Sequence, residues 1–469
     1  MKHTTPFTKR RWASLSLTAG LAVLLAAVLL LGLQSRSAAR ASVNTLYVNG
    51  DAGSDTTDCA DPAAPCATIA YAIGQAHVGD EILVAQGIYS ETTNIPISVT
   101  LKGGYVMSGT AWLPRSGRSV IDANGADDAV IWITPGAQVT IVGFAVQGAN
   151  HTSDVGGGIL IDRASAIISD TLIQNNTSPG GGAGIWLEQW EGSPAHLSLT
   201  NSALLSNTTE ADGGGLKALG GATAVLHNVT VRGNRAATGG GVFASAVITI
   251  RNSLVLSNVA TGSGGGIELG PDQTPTHLTL QNSIVADNRG QAHGGALSLA
   301  WASADLTNVL LYGNASVDGP ASVLFANNSK INISNGTISD NNPEGHQAII
   351  AQSSELTLTN SIVWNSSLSI LTDPPCTDCV TVNYSDVQGE CTWCADGAGN
   401  IEADPRFVDA ADADYQLQIG SPCIDTGTST GAPTYDLAGV LRDASPDMGA
   451  YEWMGFRVYL PLVVSGGGT

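Results

Sequence analysis

Seven cysteines are the side chains in this 469-residue chain most able to form covalent or metal bonds. Cys59 and Cys66 flank the loop ADPAAP and suit a local disulfide in an oxidising compartment. Cys376-x2-Cys379 and Cys391-x2-Cys394 carry a spacing shared by zinc sites and by paired disulfides. Outside a cell, disulfides among these four are the expectation and zinc is the alternative. Cys423 is left over. Oxygen ligands form two clusters, Asp404, Asp409, Asp412 and Asp414, and Asp51, Asp55 and Asp58. Carboxylates gathered on loops could hold Ca²⁺, and solvated turn residues are the plainer reading. No other cofactor is expected. A third group, Trp186, Glu188, Lys217, Phe243 and Glu268, follows successive glycine runs. Aromatic faces pack on sugar C–H surfaces while charged groups bond hydroxyls, so this group suits a carbohydrate-binding column, and scattered surface aromatics are the plainer reading. The eight histidines fall into no Ser/His/Asp pattern, and His293 reads as an exposed turn residue. No catalytic residue is assigned.

The elements that must position these residues are set by an internal repeat. Copies read LSLTNSALLSN from Leu197, AVLHNVTVRGN from Ala224, ITIRNSLVLSN from Ile248 and LTLQNSIVADN from Leu278. The central column runs Gly143, Asp170, Asn201, Asn228, Asn252, Asn282, Asn308, Asn335 and Asn360. Six residues further on stand Asn176, Asn207, Asn234, Asn258, Asn288, Asn314 and Asn341. Within each copy the apolar period is two, and Asn and Gly break the runs, which predicts short strands. One coil cannot bury its own apolar face, whereas stacked coils can. The expected fold is therefore all-β, a parallel β-helix. Asn tolerates left-handed turns, and stacked amides can bond one another, so Asn201, Asn207, Asn228, Asn234, Asn252, Asn258, Asn282, Asn288, Asn308, Asn314, Asn335 and Asn341 are expected as a structural ladder. The glycine runs read as tight corners. Ala67 to Ala76 predicts a short helix covering the first coil, and Val380 to Glu452 predicts a cap for the last one.

Lys9, Arg10 and Arg11 precede an uncharged apolar run from Trp12 to Leu33, and Ala39-x-Ala41 follows. This is the pattern of a cleaved export signal, with an uncleaved anchor as the alternative. The expected organisation is a signal at 1–41, an N-terminal cap and first coils at 42–138, repeats at 139–365, a C-terminal cap at 366–455 and a tail at 456–469. A net charge of −21 with 19 Lys and Arg disfavours nucleic acid as partner. No membrane contact is expected beyond the signal segment, and the chain is expected to be a monomer.

LYVNGDAGSD and CATIAYAIGQAHVGDEILVAQGIYSE resemble the opening of secreted right-handed parallel β-helix proteins of the pectate-lyase-like superfamily. The repeats resemble the units of polymorphic outer-membrane proteins. VNYSDVQG, GNIEADPRFVD, DYQLQIGSPCIDTG and PDMGAYE resemble the choice-of-anchor Q domain, although Ala438 stands where that domain carries an Asp. The resemblance implies a right-handed, single-stranded helix, a cell-surface or secreted location and no assigned reaction. Function is thus expected to be non-catalytic binding of extracellular polysaccharide or another surface component in adhesion. A polysaccharide lyase or glycosidase and a purely structural spacer are the alternatives.

Overall fold

The computed structural model describes residues 43–152, 156–190, 192–271, 275–319, 321–341, 346–365, 370–373, 379–389 and 397–455. The expected signal segment, the tail at 456–469, and Cys376, Cys391 and Cys394 lie outside the described residues.

A coil is readable from one stretch of chain. Val247–Arg251, Leu254–Leu256, Val259–Ala260 and Ile267–Leu269 are successive strands, and His277–Ala286 then lies beside the first. Stacking such coils makes a 23-stranded sheet that carries two ladders, an 11-stranded second sheet and a 6-stranded third sheet of two-residue strands. The stacked pairings are parallel, so the chain is the β-solenoid that the two-residue period predicts. Among the described residues, antiparallel pairing between strands is confined to Thr100–Ser108 with Ala111–Pro114, and to Phe407–Asp409 with Asp414–Leu417.

Alternation decides what is inside. Ile248 lies opposite Leu278 and Ile250 opposite Leu280, and all four are fully buried. Val231, Val255, Val285 and Leu311 line the same core from the next ladder. Each such side chain contributes roughly 1.5–3 kcal/mol, which an isolated coil could not collect.

The two Asn columns do different work. At the inner one, Asn234 Oδ1 accepts from both the backbone N–H (3.0 Å) and Nδ2 (3.1 Å) of Asn207. Its own Nδ2 donates to Leu204 O (2.9 Å) and to Asn258 Oδ1 (3.0 Å). The same amide chain runs unbroken through Asn176, Asn207, Asn234, Asn258, Asn288, Asn314 and Asn341, all buried. The outer column instead supplies left-handed turns, with φ between 49° and 54° from Asn201 to Asn360. Its amide links join Asn201 to Asn228, Asn282 to Asn308 and Asn335 to Asn360, and are broken at Asn252 and between Asn308 and Asn335. A continuous ladder at both columns is therefore corrected. Asn201, Asn228 and Asn252 are exposed and have water as an alternative partner.

At the N-terminal end, the helix Ile69–Gln75 buries Ile69, Ala72 and Ile73 over the first coil. The Thr68 hydroxyl accepts from Tyr71 N–H, and the Glu91 carboxylate accepts from Ile69 and Ala70 N–H, so the helix start is satisfied. Cys59 and Cys66 form the expected disulfide beside it.

The C-terminal block first adds to the stack and then leaves it. Ile401 adds one bridge to Asp386, extending the stack. Beyond Asp404 the chain returns along the side of the solenoid. Asn308 Nδ2 donates to Tyr435 O (2.6 Å), Asn335 Nδ2 to Asp447 O (3.3 Å) and Asn360 Nδ2 to Thr428 O (2.8 Å). Arg442 sits at the centre, donating to Glu452 Oε2 (3.0 Å), Asn308 Oδ1 (3.1 Å) and Gly449 O (2.9 Å). Gly449 has φ +94°, and a Cβ there would come within 2.7 Å of Ile362, so this contact needs glycine. Ile362, Leu417, Cys423 and Met448 form a second small core.

Replacing Asn234 by Ala should cost ~3 kcal/mol in urea unfolding, because Asn207 and Leu204 lose buried partners. Asn228→Gly, at an exposed left-handed turn, should be nearly neutral. Equal effects of the two would contradict the division between columns. Arg442→Met leaves Glu452 buried without its cation, at a cost of about 3–5 kcal/mol. Limited proteolysis should then cut beyond Asp404 while the solenoid keeps its circular dichroism.

Candidate functional site

The expected carbohydrate column lies on the outer face of the second sheet. Leu160, Trp186, Lys217, Phe243, Glu268 and Ser298 are register partners on successive rungs. They are not an open face. Trp186 is 6% and Lys217 8% exposed. Lys217 Nζ donates to Asp212 Oδ2 (3.0 Å) and Gly180 O (3.3 Å), and it lies 4.7 Å from the Trp186 ring and 5.7 Å from that of Phe243. Thr238 Oγ1 holds the other Asp212 oxygen at 2.8 Å. Gly180 and Asp212, at the corners that enter the sheet, lie over this part of the row. Strand alternation gives the direction of a side chain but not what the preceding corner lays over it. The Phe243 ring, half-buried, lies against Gly270.

The glycines make those corners feasible. Gly213, Gly239 and Gly264 take positive φ, and a Cβ on Gly215, Gly241 or Gly266 would meet the next rung's backbone within 2.7 Å.

Glu268 is the strained member of the row. Its Oε2 has no solvent contact and no hydrogen-bond partner. Burial pushes its pKa from 4.5 up to about 8; Ser298 opposes this and Asp212 adds to it. His293, expected as an exposed turn, is half-buried and stacks on Phe325 at 4.4 Å, and burial lowers its pKa. The row thus holds an ion-paired lysine and a carboxyl kept neutral near pH 7.

Beside this packed row is an open cleft of about 340 Å³, lined by Leu160, Asp162, Arg163, Glu188 and Trp190. Asp162 and Glu188 are register partners. Arg163 grips Asp162 with two bonds of 2.8 and 3.2 Å, and Glu188 accepts from Trp186 Nε1 at 3.2 Å. Trp190 is 59% exposed. Of the expected column, only Glu188 lines the cleft. Trp190 was legible as an insertion: seven residues separate Glu188 from His196, against two between Asp162 and Ser165.

Five of the seven clustered Asp carboxylates are spent locally. Asp55 accepts from Ala67 and Thr68 N–H, Asp58 from Ala60, Asp404 from Arg406, Asp409 from Asp412 and Asp414 from Gln416. Among the described residues no three His, Cys, Asp or Glu side chains converge as metal ligands. Cys379 is disulfide-bonded. Cys423 is a buried thiol donating to Asp386 Oδ2 at 3.2 Å, and burial raises both pKa values. No helix among the described residues is long and apolar enough to cross a membrane.

A family model described as a right handed beta helix region matches residues 129–316. The fold is a right-handed parallel β-helix. Among solved structures, the complex of XylC with xylose aligns at 9% identity over 87% of this chain and 98% of that one, with a TM-score of 0.48. The crystal structure of pectate lyase Pel9A aligns at 14% identity over 88% and 97%, with a TM-score of 0.44. No curated protein matches the chain.

Glu268 gives a signed pH dependence. Its folded pKa is raised, so its share of stability is present below pH 4.5 and is lost as pH rises through about 8. Glu268→Gln should therefore gain stability over the wild type progressively across that window and hold a constant gain above it. Thermal unfolding at pH 5, 7 and 9 reads this directly; a gain that is equal at all three values contradicts the buried neutral carboxyl.

Proposed function

We propose that this β-helix is a non-catalytic binding protein that acts outside the cell or on its surface and holds polysaccharide at the Trp190 cleft. The observation that carries this reading is an exposed indole beside Asp162, Arg163 and Glu188 in an open cleft. The indole offers a face for sugar C–H groups, and the charged side chains offer acceptors and donors for hydroxyls. The Cys59–Cys66 disulfide supports an oxidising compartment, as does the signal pattern at 1–41. The C-terminal block, similar in sequence to the choice-of-anchor Q domain, is assigned retention at the surface in this reading, and the protein acts as a monomer.

A lyase or glycosidase reading has less support. Lys217, the cation best placed in the row to act as a base, is buried and ion-paired with Asp212. A spacer reading leaves the exposed Trp190 without a role.

Trp190→Ala should weaken polysaccharide binding by about tenfold or more in affinity electrophoresis, with unfolding unchanged; tenfold corresponds to ~1.4 kcal/mol. Trp186→Ala should instead lower stability by about 3–5 kcal/mol, since its ring is packed. Release of unsaturated or reducing sugar ends from the same polysaccharides would replace the binding reading with the enzymatic one.

A further inference from the structure

A second cleft, of about 360 Å³, lies at the corner between the two ladders of the first sheet. Its polar lining is Lys102, Tyr105, Arg115, Ser116, Arg118 and Asp170. The hairpin of Thr100–Ser108 with Ala111–Pro114 builds one wall, and the turn column at Gly143 and Asp170 builds the other. The loop that follows the hairpin is tied down at both ends. Arg115 N–H donates to Gly104 O (2.9 Å), while Ser119 Oγ accepts from Gly104 N–H (2.9 Å) and donates to Ala85 O (2.7 Å). Between these ties, a Cβ on Gly117 would come within 2.6 Å of Gln86 Nε2. A loop held this closely presents Arg115, Ser116 and Arg118 from a fixed base, and all three are exposed.

The charge of this cleft runs against that of the chain, which carries 40 Asp and Glu against 19 Lys and Arg. From Val43 to Asp162 the Lys and Arg are Lys102, Arg115 and Arg118, and all three line the cleft. Like charges gathered in one place repel one another unless a counter-charge joins them. Lys102 has its counter-charge in an ion pair with Glu81. Arg118 Nε donates to Asp170 O (3.1 Å), a neutral carbonyl, and its two Nη groups have no partner among the described residues. The ion pairs of the described lysines and arginines fall on Lys102, Arg163, Lys217, Lys330 and Arg442, and on neither Arg115 nor Arg118. Asp170 is the one carboxylate in the lining. Two guanidiniums against one carboxylate leave a single positive charge in excess.

Donors reach the cleft from two sides, Arg115, Ser116 and Arg118 on the loop and the Tyr105 hydroxyl on the hairpin. A sulfate ester matches both the charge and the donors, with one negative charge and three terminal oxygens that accept at once. A carboxylate offers two oxygens in one plane, which suits a single guanidinium fork, and a phosphate monoester carries about −1.5 to −2 at pH 7. We infer that this cleft binds the sulfate ester of a sulfated glycan through Arg115 and Arg118. The oxyanion class rests on the cleft alone; that the ester is carried by a sugar rests on the polysaccharide reading above. The site is separate from the Trp190 cleft, which lies where the second sheet returns to the first.

The test uses the full chain with dextran, dextran sulfate, dextran phosphate and carboxymethyl dextran, which share one backbone, in affinity electrophoresis at about 0.15 M salt. The wild type should prefer dextran sulfate to dextran by about tenfold or more, and to the other two polymers by a smaller factor. Arg115→Gln and Arg118→Gln should each cut the preference over dextran by about fivefold, and the double variant should abolish it. Arg232→Gln removes an equal charge from an exposed position on another coil and should leave the preference within about twofold. An unchanged preference in the double variant, or an equal loss in Arg232→Gln, overturns the cleft as the site. Preference for the phosphate or carboxymethyl polymer overturns the sulfate class. If the wild type binds none of the dextran derivatives yet binds another polysaccharide through Trp190, this inference falls and the polysaccharide reading stands. A sulfate preference that depends on Arg115 and Arg118, in a protein with no Trp190-dependent binding, does the reverse.

Discussion

A buried amide must find partners at both its donor and its acceptor end, and in this solenoid the nearest partners are the same amide one coil above and one coil below. The column from Asn176 to Asn341 meets that demand at every step, with side-chain links of 2.9–3.1 Å. Each of these residues also takes a backbone N–H from the preceding coil, as Asn258 Oδ1 does from Asn234 at 3.0 Å. The ladder therefore fixes height and rotation together. A coil that slipped by one residue would turn its apolar set outward and leave two buried amides unpaired. The other columns inherit this register, including the packed row on the second sheet.

Because the register is rigid, variation is confined to the corners. Most coils pass from the second sheet back to the first in two or three residues, as at Arg163–Ala164, Ser245–Ala246 and Trp301–Ala302. Where a corner is lengthened, as between Glu188 and His196, Trp190 lies exposed. Where the corner is short, as at Trp301, the residue at its left-handed position is again an exposed ring. The scaffold and its corners are thus separable: the core and the ladder set spacing, and the corners set which side chains the edge exposes.

This separation explains what could be read from the sequence. The two-residue period located Ile248, Ile250, Leu278 and Leu280 in the core, and the six-residue offset located the inner Asn column, because both follow from local backbone geometry repeated many times. The alternation also placed Trp186, Lys217 and Phe243 outward from the second sheet. It could not show that Gly180, in the glycine run of the preceding coil, and Asp212, just before the run of its own coil, lie over that face at Lys217. Cover of this kind depends on how a corner folds back and leaves no period in the sequence. Trp190 left a signal of another kind, a break in spacing, which a search for repeats treats as noise.

The C-terminal block follows from the same register. A left-handed Asn turn needs only its backbone conformation, so its side-chain amide is free for use elsewhere. In early coils Asn201, Asn228 and Asn252 stand exposed; in late coils Asn308, Asn335 and Asn360 are buried and bond the returning chain at Tyr435, Asp447 and Thr428. The block therefore uses a column the fold already had. Arg442 then connects Asn308 of the solenoid to Glu452 within the block. A buried ion pair of this sort adds little net stability over an apolar contact, but removing one partner is costly. Its effect is to specify where along the solenoid the block can sit, since an amide at Asn308 and a backbone approach at Gly449 must be met at once.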